Sequence, residues 1–184
     1  MAYYLLRSRP QLMRSPLGGW GETVMMLLLK NLLFTLVVPG TVAVYVPLLI
    51  ARGRSPASGV VLTLAVVVVS LGASAYAWSV WEFATFGRGT PAPIDAPKKL
   101  VVRGLYRYTR NPMYIGALTV ILGWAVFFRA TVLLLYAIVM GIIFHLFIVL
   151  YEERHLQREF GSEYDDYRSR VGRWLPRFRR RPAA

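Results

Sequence analysis

Residues 131–153 read TVLLLYAIVMGIIFHLFIVLYEE. From Thr131 to Tyr151 the run holds 21 residues with no Asp, Glu, Lys or Arg. At about 1.5 Å per residue it is long enough to cross the roughly 30 Å hydrocarbon core of a bilayer. It stops at two adjacent carboxylates, Glu152 and Glu153. A charge close to the bilayer is costly and marks a site by default. Two like charges side by side also need a cation nearby. Local arginines or a positively charged ligand are the two ways to supply one.

The rest of the chain supports a membrane reading. Its 184 residues suit one domain, and 56% of them are hydrophobic with a mean hydropathy of +0.46. That is too apolar for an ordinary soluble domain. The formal net charge of +13 fits anionic lipid head groups better than nucleic acid, because no basic stripe lies on a recognisable soluble module. The absence of cysteine excludes disulfides, thiolate nucleophiles and Cys–zinc sites. With His145 and His155 as the two histidines, a His-rich metal site is not expected.

Working outward, a first apolar run extends over Leu32–Ile50, with Pro39-Gly40 and Pro47 as expected kinks. A second runs from about Gly59 to Trp81. Gly72, Ala73, Ser74 and Ala75 in its middle permit close helix packing, and Trp78 and Trp81 suit an interface. A third, Met113–Phe128, is short for a span and is expected to form a tight hairpin with the fourth, Thr131–Tyr151. The predicted fold is an all-α integral membrane protein of about four transmembrane helices with an amphipathic cytoplasmic C-terminal segment. Its parts are a basic arm (1–22), spans one and two (23–86), a Gly/Pro-rich connector (87–112), the hairpin (113–151) and a tail (152–184). Eighteen lysines and arginines lie before span one, in the connector and in the tail, against three in the two opposite loops. This bias predicts cytoplasmic termini and puts Glu152 and Glu153 on the same side as the connector. In the tail, Leu156, Phe160, Tyr164, Tyr167 and Val171 recur at helical spacing. Gly161 breaks that helix at a C′-like position.

Gly104 to Gly116 (GLYRYTRNPMYIG) is dense in hydrogen-bonding side chains. Pro112 suits the first turn of a helix and Asn111 its N-cap; Arg110 suits a snorkelling anchor. One face would then present an arginine–tyrosine cluster, the glycines Gly87 and Gly89, and two carboxylates. A zwitterionic amino-acid moiety matches both the arginines and the carboxylates. His145, seven residues before Glu152, would share its helical face.

This stretch, the Glu152-Glu153 pair, Phe160 to Arg168 and Arg173-Trp174-Leu175-Pro176 together resemble the isoprenylcysteine carboxyl methyltransferase family, which is related to the membrane phospholipid N-methyltransferases. The resemblance covers about Thr85 to Arg177. It implies a membrane methyltransferase that holds S-adenosylmethionine at the cytoplasmic end of its last spans and acts on a lipid or lipophilic small-molecule acceptor. By the same resemblance Tyr106, Arg110, Asn111, Pro112, Tyr114, Gly116, Glu152 and Glu153, with Gly87 and Gly89, are the candidate cofactor residues. Arg173 is the candidate for an anionic acceptor head group, and Glu152 or His145 for proton removal. Asn111 stands where the family has histidine, and an amide cannot serve as a base near neutral pH. Two other classes compete. An NADPH-dependent reductase of the sterol reductase type would set two glutamates against an anionic cofactor. A lipid-binding scaffold would leave the clustered polar motifs unexplained.

Overall fold

A computed structural model describes residues 18–87 and 99–177. The basic arm up to residue 17, residues 88–98 of the connector including Gly89, and the last seven residues lie outside the described residues. The described part is all helical apart from turns and one isolated bridge.

Helix α1, Gly18–Gly40, continues through a π-turn, Thr41–Tyr45, into the short α2, Val46–Ile50. Proline explains the irregularity. Pro47 has no N–H, so a carbonyl one turn earlier loses its partner. In lipid such a group must be satisfied from within the protein. Two carbonyls at this point are capped by side chains from later helices: the Trp124 indole donates to Ala43 O at 3.0 Å, and the Tyr136 hydroxyl donates to Val42 O at 2.8 Å. These bonds tie the first rod to the hairpin beneath it.

Helix α3, Gly59–Glu82, ends in a second π-turn, Phe83–Gly87. It packs backbone to backbone on α4, Pro112–Phe127. A Cβ on Gly72 would stand 2.7 Å from Gly116 O, and one on Gly116 would stand 2.8 Å from Gly72 O. Gly123 meets Val69 in the same way. Small residues let the two axes approach, as is usual inside membranes. Buried Ala117, Val120, Ile121 and Ala137 form the core between α4, α1 and α5.

A Schellman turn joins α4 to α5, Thr131–Phe147. Ala130 N–H reaches Ala125 O at 2.9 Å, Arg129 N–H reaches Val126 O at 3.2 Å, and Arg129 takes the left-handed position with φ 48°. A third π-turn, Ile148–Glu152, leads into α6, Glu153–Arg170. Gly161, at φ 49° and ψ −123°, breaks α6 into two helical pieces.

Among the described residues, three helical stretches are long and apolar enough to cross a membrane: Leu29–Ile50, Gly59–Gly87 and the long helix Thr131–Arg170. The expected third span is the shorter α4, whose 16 residues cover about 24 Å. Among the described residues three helices meet the length, and α4, expected from the sequence to be short for a span, packs among them. Beyond Tyr151, Leu156 and Phe160 pack with Tyr164, Tyr167 and Val171 around Leu100 as a separate small core.

Candidate functional site

The site lies at the end of the bundle where α3 finishes, α4 begins and α5 passes into α6. Three segments build it: residues 103–111, the Ile148–Glu152 turn with the start of α6, and the tail after Arg170.

Residues 104–107 form a 3₁₀ turn that buries Tyr106. Its ring meets Phe83 at 5.5 Å between centroids, and its carbonyl accepts the Tyr167 hydroxyl at 2.8 Å. The chain then runs beside the tail. Arg110 N–H donates to Gly172 O at 3.0 Å, and both Thr109 Oγ1 (2.9 Å) and Asn111 Nδ2 (3.1 Å) donate to Arg173 O. Asn111 occupies the N-cap position of α4, but its side chain makes no cap bond and holds the tail instead. Pro112 follows at the first helical position, as expected. Gly172 is buried at this crossing, and a Cβ there would run into the Leu175 carbonyl.

The two glutamates meet different fates. Glu153 is clamped: Arg173 donates through Nε at 2.7 Å and Nη2 at 2.9 Å, and Arg110 Nη1 lies at 3.1 Å. Arg110 Nη1 also donates to the buried Tyr164 hydroxyl at 3.1 Å. Burial opposes charge on Glu153, but the two guanidiniums outweigh it and hold its carboxyl below the usual range. Glu152 turns the other way. Its Oε2 accepts from the Tyr114 hydroxyl of α4 at 2.8 Å. Burial pushes its carboxyl up; the Tyr114 bond pulls it down and neighbouring Glu153 pushes it up again.

The π-turn explains the split. It inserts one residue into the helical register, so Glu153 takes the face that Glu152 would have in an unbroken α-helix. His145 and Glu152 therefore do not share a face, contrary to the sequence expectation. His145 is exposed and accepts the Trp174 indole N–H on Nδ1 at 3.2 Å, next to Arg173.

Two spaces adjoin the pair. A small inner cavity of about 20 Å³ is lined by Arg110, Asn111, Glu152, Glu153, Tyr164 and Tyr167 among others. An open cleft of about 540 Å³ lies outside it, lined by Arg110, Glu153, Asp165, Arg168, Arg173 and Arg177 with Ser169. Arg110 and Glu153 line both, so their ion pair forms the wall between them. Arg110 Nε is buried with no partner among the described residues.

Of the sequence candidates, Arg110, Asn111, Tyr114, Glu152, Glu153 and Arg173 converge here, and Tyr106 and Pro112 are buried behind them. Gly116 is taken up by the α3–α4 contact. Gly87 is buried at the end of the Phe83–Gly87 turn and lines neither space; its partner Gly89 is outside the described residues. Thr109 was not singled out. Its target is a main-chain carbonyl, which has no signature in sequence.

The phospholipid methyltransferase family model matches residues 60–163, from α3 to the second piece of α6. A similar protein is an uncharacterized protein from Haemophilus influenzae, 32% identical over 63 residues, which are 34% of this chain and the whole of that protein. No solved structure matches the chain. The matched region spans more than half the chain and contains Arg110, Tyr114, Glu152 and Glu153, so the chain belongs to the phospholipid methyltransferase family.

Proposed function

We propose that the chain transfers a methyl group from S-adenosylmethionine to a membrane-held acceptor, at the end of the bundle where Glu152 and Tyr114 meet. The observation that carries this reading is the unequal treatment of the two carboxylates. Arg110 and Arg173 neutralise Glu153. Glu152 faces a neutral hydroxyl and is left as the uncompensated anion, with its carboxyl pushed up. A cation placed beside it relieves that cost. The cationic cofactor of this family suits it, whereas anionic NADPH does not.

The residues fit the cofactor. Arg110 Nε is a buried donor in need of an acceptor, which a carboxylate end supplies. Glu152 lines the inner cavity, and the outer cleft of about 540 Å³, within the range of small-molecule sites at about 300–1,000 Å³, adjoins it across the Arg110–Glu153 pair, so the cofactor would lie across that pair to reach Glu152 from the cleft. Bound there, the cofactor supplies an electrophilic methyl group. The protein's part is to orient and desolvate. Tyr114 fixes one Glu152 oxygen and leaves the other free, so Glu152 can take a proton from an amine acceptor; its raised pKa suits that role. Arg173 locks the tail over the site through its carbonyl and its guanidinium together. The cationic residues concentrated at this end support a cytoplasmic orientation.

Calorimetry of S-adenosylhomocysteine binding in detergent micelles tests the reading. Glu152→Gln is expected to weaken affinity about tenfold, the weight of one charge-assisted contact. Unchanged affinity in Glu152→Gln would sink the assignment.

A further inference from the structure

His145, Trp174 and Leu175 lie beside the site, and methyl transfer as described above uses none of them. The break at Gly161 turns the second piece of α6 back on the first, around Leu156, Phe160, Tyr164 and Tyr167. The tail therefore returns toward α5. Arg173 meets Glu153, 20 residues earlier, and Trp174 meets His145, 29 residues earlier. Arg177 then ties back to α6, with Nη1 donating to Ser169 O at 2.9 Å. Between the ties at Arg173 and Arg177, Trp174, Leu175 and Pro176 form a short loop.

That loop reaches back along the apolar helix. His145 precedes Glu152 by seven residues, about 10 Å along a helix axis, and so lies inside the apolar run. Its neighbours Ile142 and Leu146 are exposed, as lipid-facing side chains are. A polar ring at that depth needs a partner from the protein. The Trp174 indole is that partner, donating to Nδ1 at 3.2 Å with the two rings stacked. Leu175, next in the chain, is 77% exposed and belongs to none of the buried cores among the described residues. In water a leucine so placed gains nothing from folding; in an apolar layer it gains the transfer of its whole side chain. Arg168, Arg173 and Arg177 line the cleft on the other side of the loop. An apolar tip with a tryptophan, backed by cations, matches the interfacial layer of a bilayer and its phosphates.

We propose that Trp174 and Leu175 form a membrane-inserting tip, and that the interfacial layer of the bilayer is the partner that keeps the tail docked on Glu153. His145 is the receptor for the tip within the protein. The Arg173 clamp and the lipid contact then support each other, and withdrawing the tip from lipid loosens the clamp. This rests on the membrane reading alone and needs neither the cofactor nor the acceptor.

The chain has no cysteine, so single labels can be placed cleanly. Leu175→Cys, Leu146→Cys and Glu163→Cys each carry a nitroxide in the full chain, reconstituted in nanodiscs of phosphatidylcholine and phosphatidylglycerol. Collisions with oxygen, which concentrates in lipid, are compared with those of a water-soluble nickel chelate. The label at Leu175 is expected to favour oxygen, as the one at exposed Leu146 does, and to differ from the one at Glu163. A nickel-accessible label at Leu175 overturns the proposal. So does a label shielded from both probes, which means that a protein surface covers the tip. A second arm carries no label. In the same nanodiscs, tryptic cleavage after Arg173 is followed by mass spectrometry, since cleavage tracks the opened fraction. Leu175→Asp is expected to speed it at least about tenfold, the factor carried by withdrawing one leucine from an apolar layer. Leu175→Met is expected to match the wild type, and cleavage after Arg54, in the loop before α3, to stay constant in all three. Equal rates after Arg173 in Leu175→Asp and wild type overturn the proposal. A rise at both Arg54 and Arg173 means unfolding, and the label at Leu175 then decides. Neither arm involves turnover, so loss of methyl transfer with both results as expected counts against the methyl-transfer reading and not against the inserted tip.

Discussion

Replacing Glu153 by glutamine removes a charge and keeps the shape. Three donor atoms lose an ionised acceptor: Arg173 Nε and Nη2 at 2.7 and 2.9 Å, and Arg110 Nη1 at 3.1 Å. A hydrogen bond to a charged group contributes about 1.5–3 kcal/mol, and breaking a fully buried pair costs about 3–5 kcal/mol. Exposed pairs contribute about 0–1 kcal/mol. This cluster lies between, since the side chains of Arg110, Glu153 and Arg173 are 9%, 16% and 30% exposed. Glu153→Gln should therefore cost about 2–3 kcal/mol, a drop of about 5–10 °C in melting temperature for a chain of this size. Glu152→Gln should cost less than about 1 kcal/mol or stabilise, because it removes a buried charge with no cationic partner. The assay is thermal unfolding in one detergent, followed by tryptophan fluorescence, with both variants side by side. The pH dependence separates them further. Glu153 has a lowered folded pKa, so its contribution is present above the ordinary carboxyl value of 4.5 and is lost as pH falls through the folded value. Glu152 has a raised one, so ionising it costs stability as pH rises from 4.5 through the folded value. Glu153→Gln should flatten the acid limb and Glu152→Gln should remove the loss on the rising side. Equal destabilisation by the two variants, or an unchanged acid limb in Glu153→Gln, would refute the division of roles.

Other outcomes follow from the packing. Trp124→Phe and Tyr136→Phe each strip a cap from a carbonyl freed around Pro47 and should cost about 1–3 kcal/mol apiece, read as melting temperature in detergent. Gly116→Ala puts a methyl 2.8 Å from Gly72 O and 2.9 Å from Tyr76 N, both backbone atoms, so α3 and α4 must separate. A cost of about 1–3 kcal/mol is expected, together with weaker S-adenosylhomocysteine binding through displaced Tyr114. Arg129→Gly relieves a left-handed residue in the α4–α5 turn and should raise the melting temperature, by an amount equivalent to about 1 kcal/mol.

The membrane helices were legible because length and apolarity are additive along a sequence. The prolines at 39 and 47 announced an irregular first rod, and Gly161 announced the break in α6. The donors that repair the freed carbonyls were not legible, since Trp124 and Tyr136 act from helices far along the chain. The π-turn at Ile148–Glu152 was hidden for a different reason. A run of Ile, Val and Leu reads the same with or without an extra residue per turn, yet that residue decides which glutamate meets the arginines. The convergence of Arg110, Tyr114, Glu152 and Arg173 followed from the motifs. The role of Asn111 did not, because its partner is the Arg173 carbonyl.

That carbonyl also sets an order of assembly. Thr109, Arg110 and Asn111 close onto Gly172 and Arg173, more than sixty residues later in the chain. The α3–α4 contact and the hairpin draw on residues made earlier. During synthesis the apolar helices can insert and pack before Arg173, the second of the two arginines on Glu153, exists. A nascent chain halted before residue 172 would hold a packed bundle in which Glu153 has Arg110 and Glu152 has Tyr114, and the bidentate Arg173 clamp would arrive in one step as the tail docks.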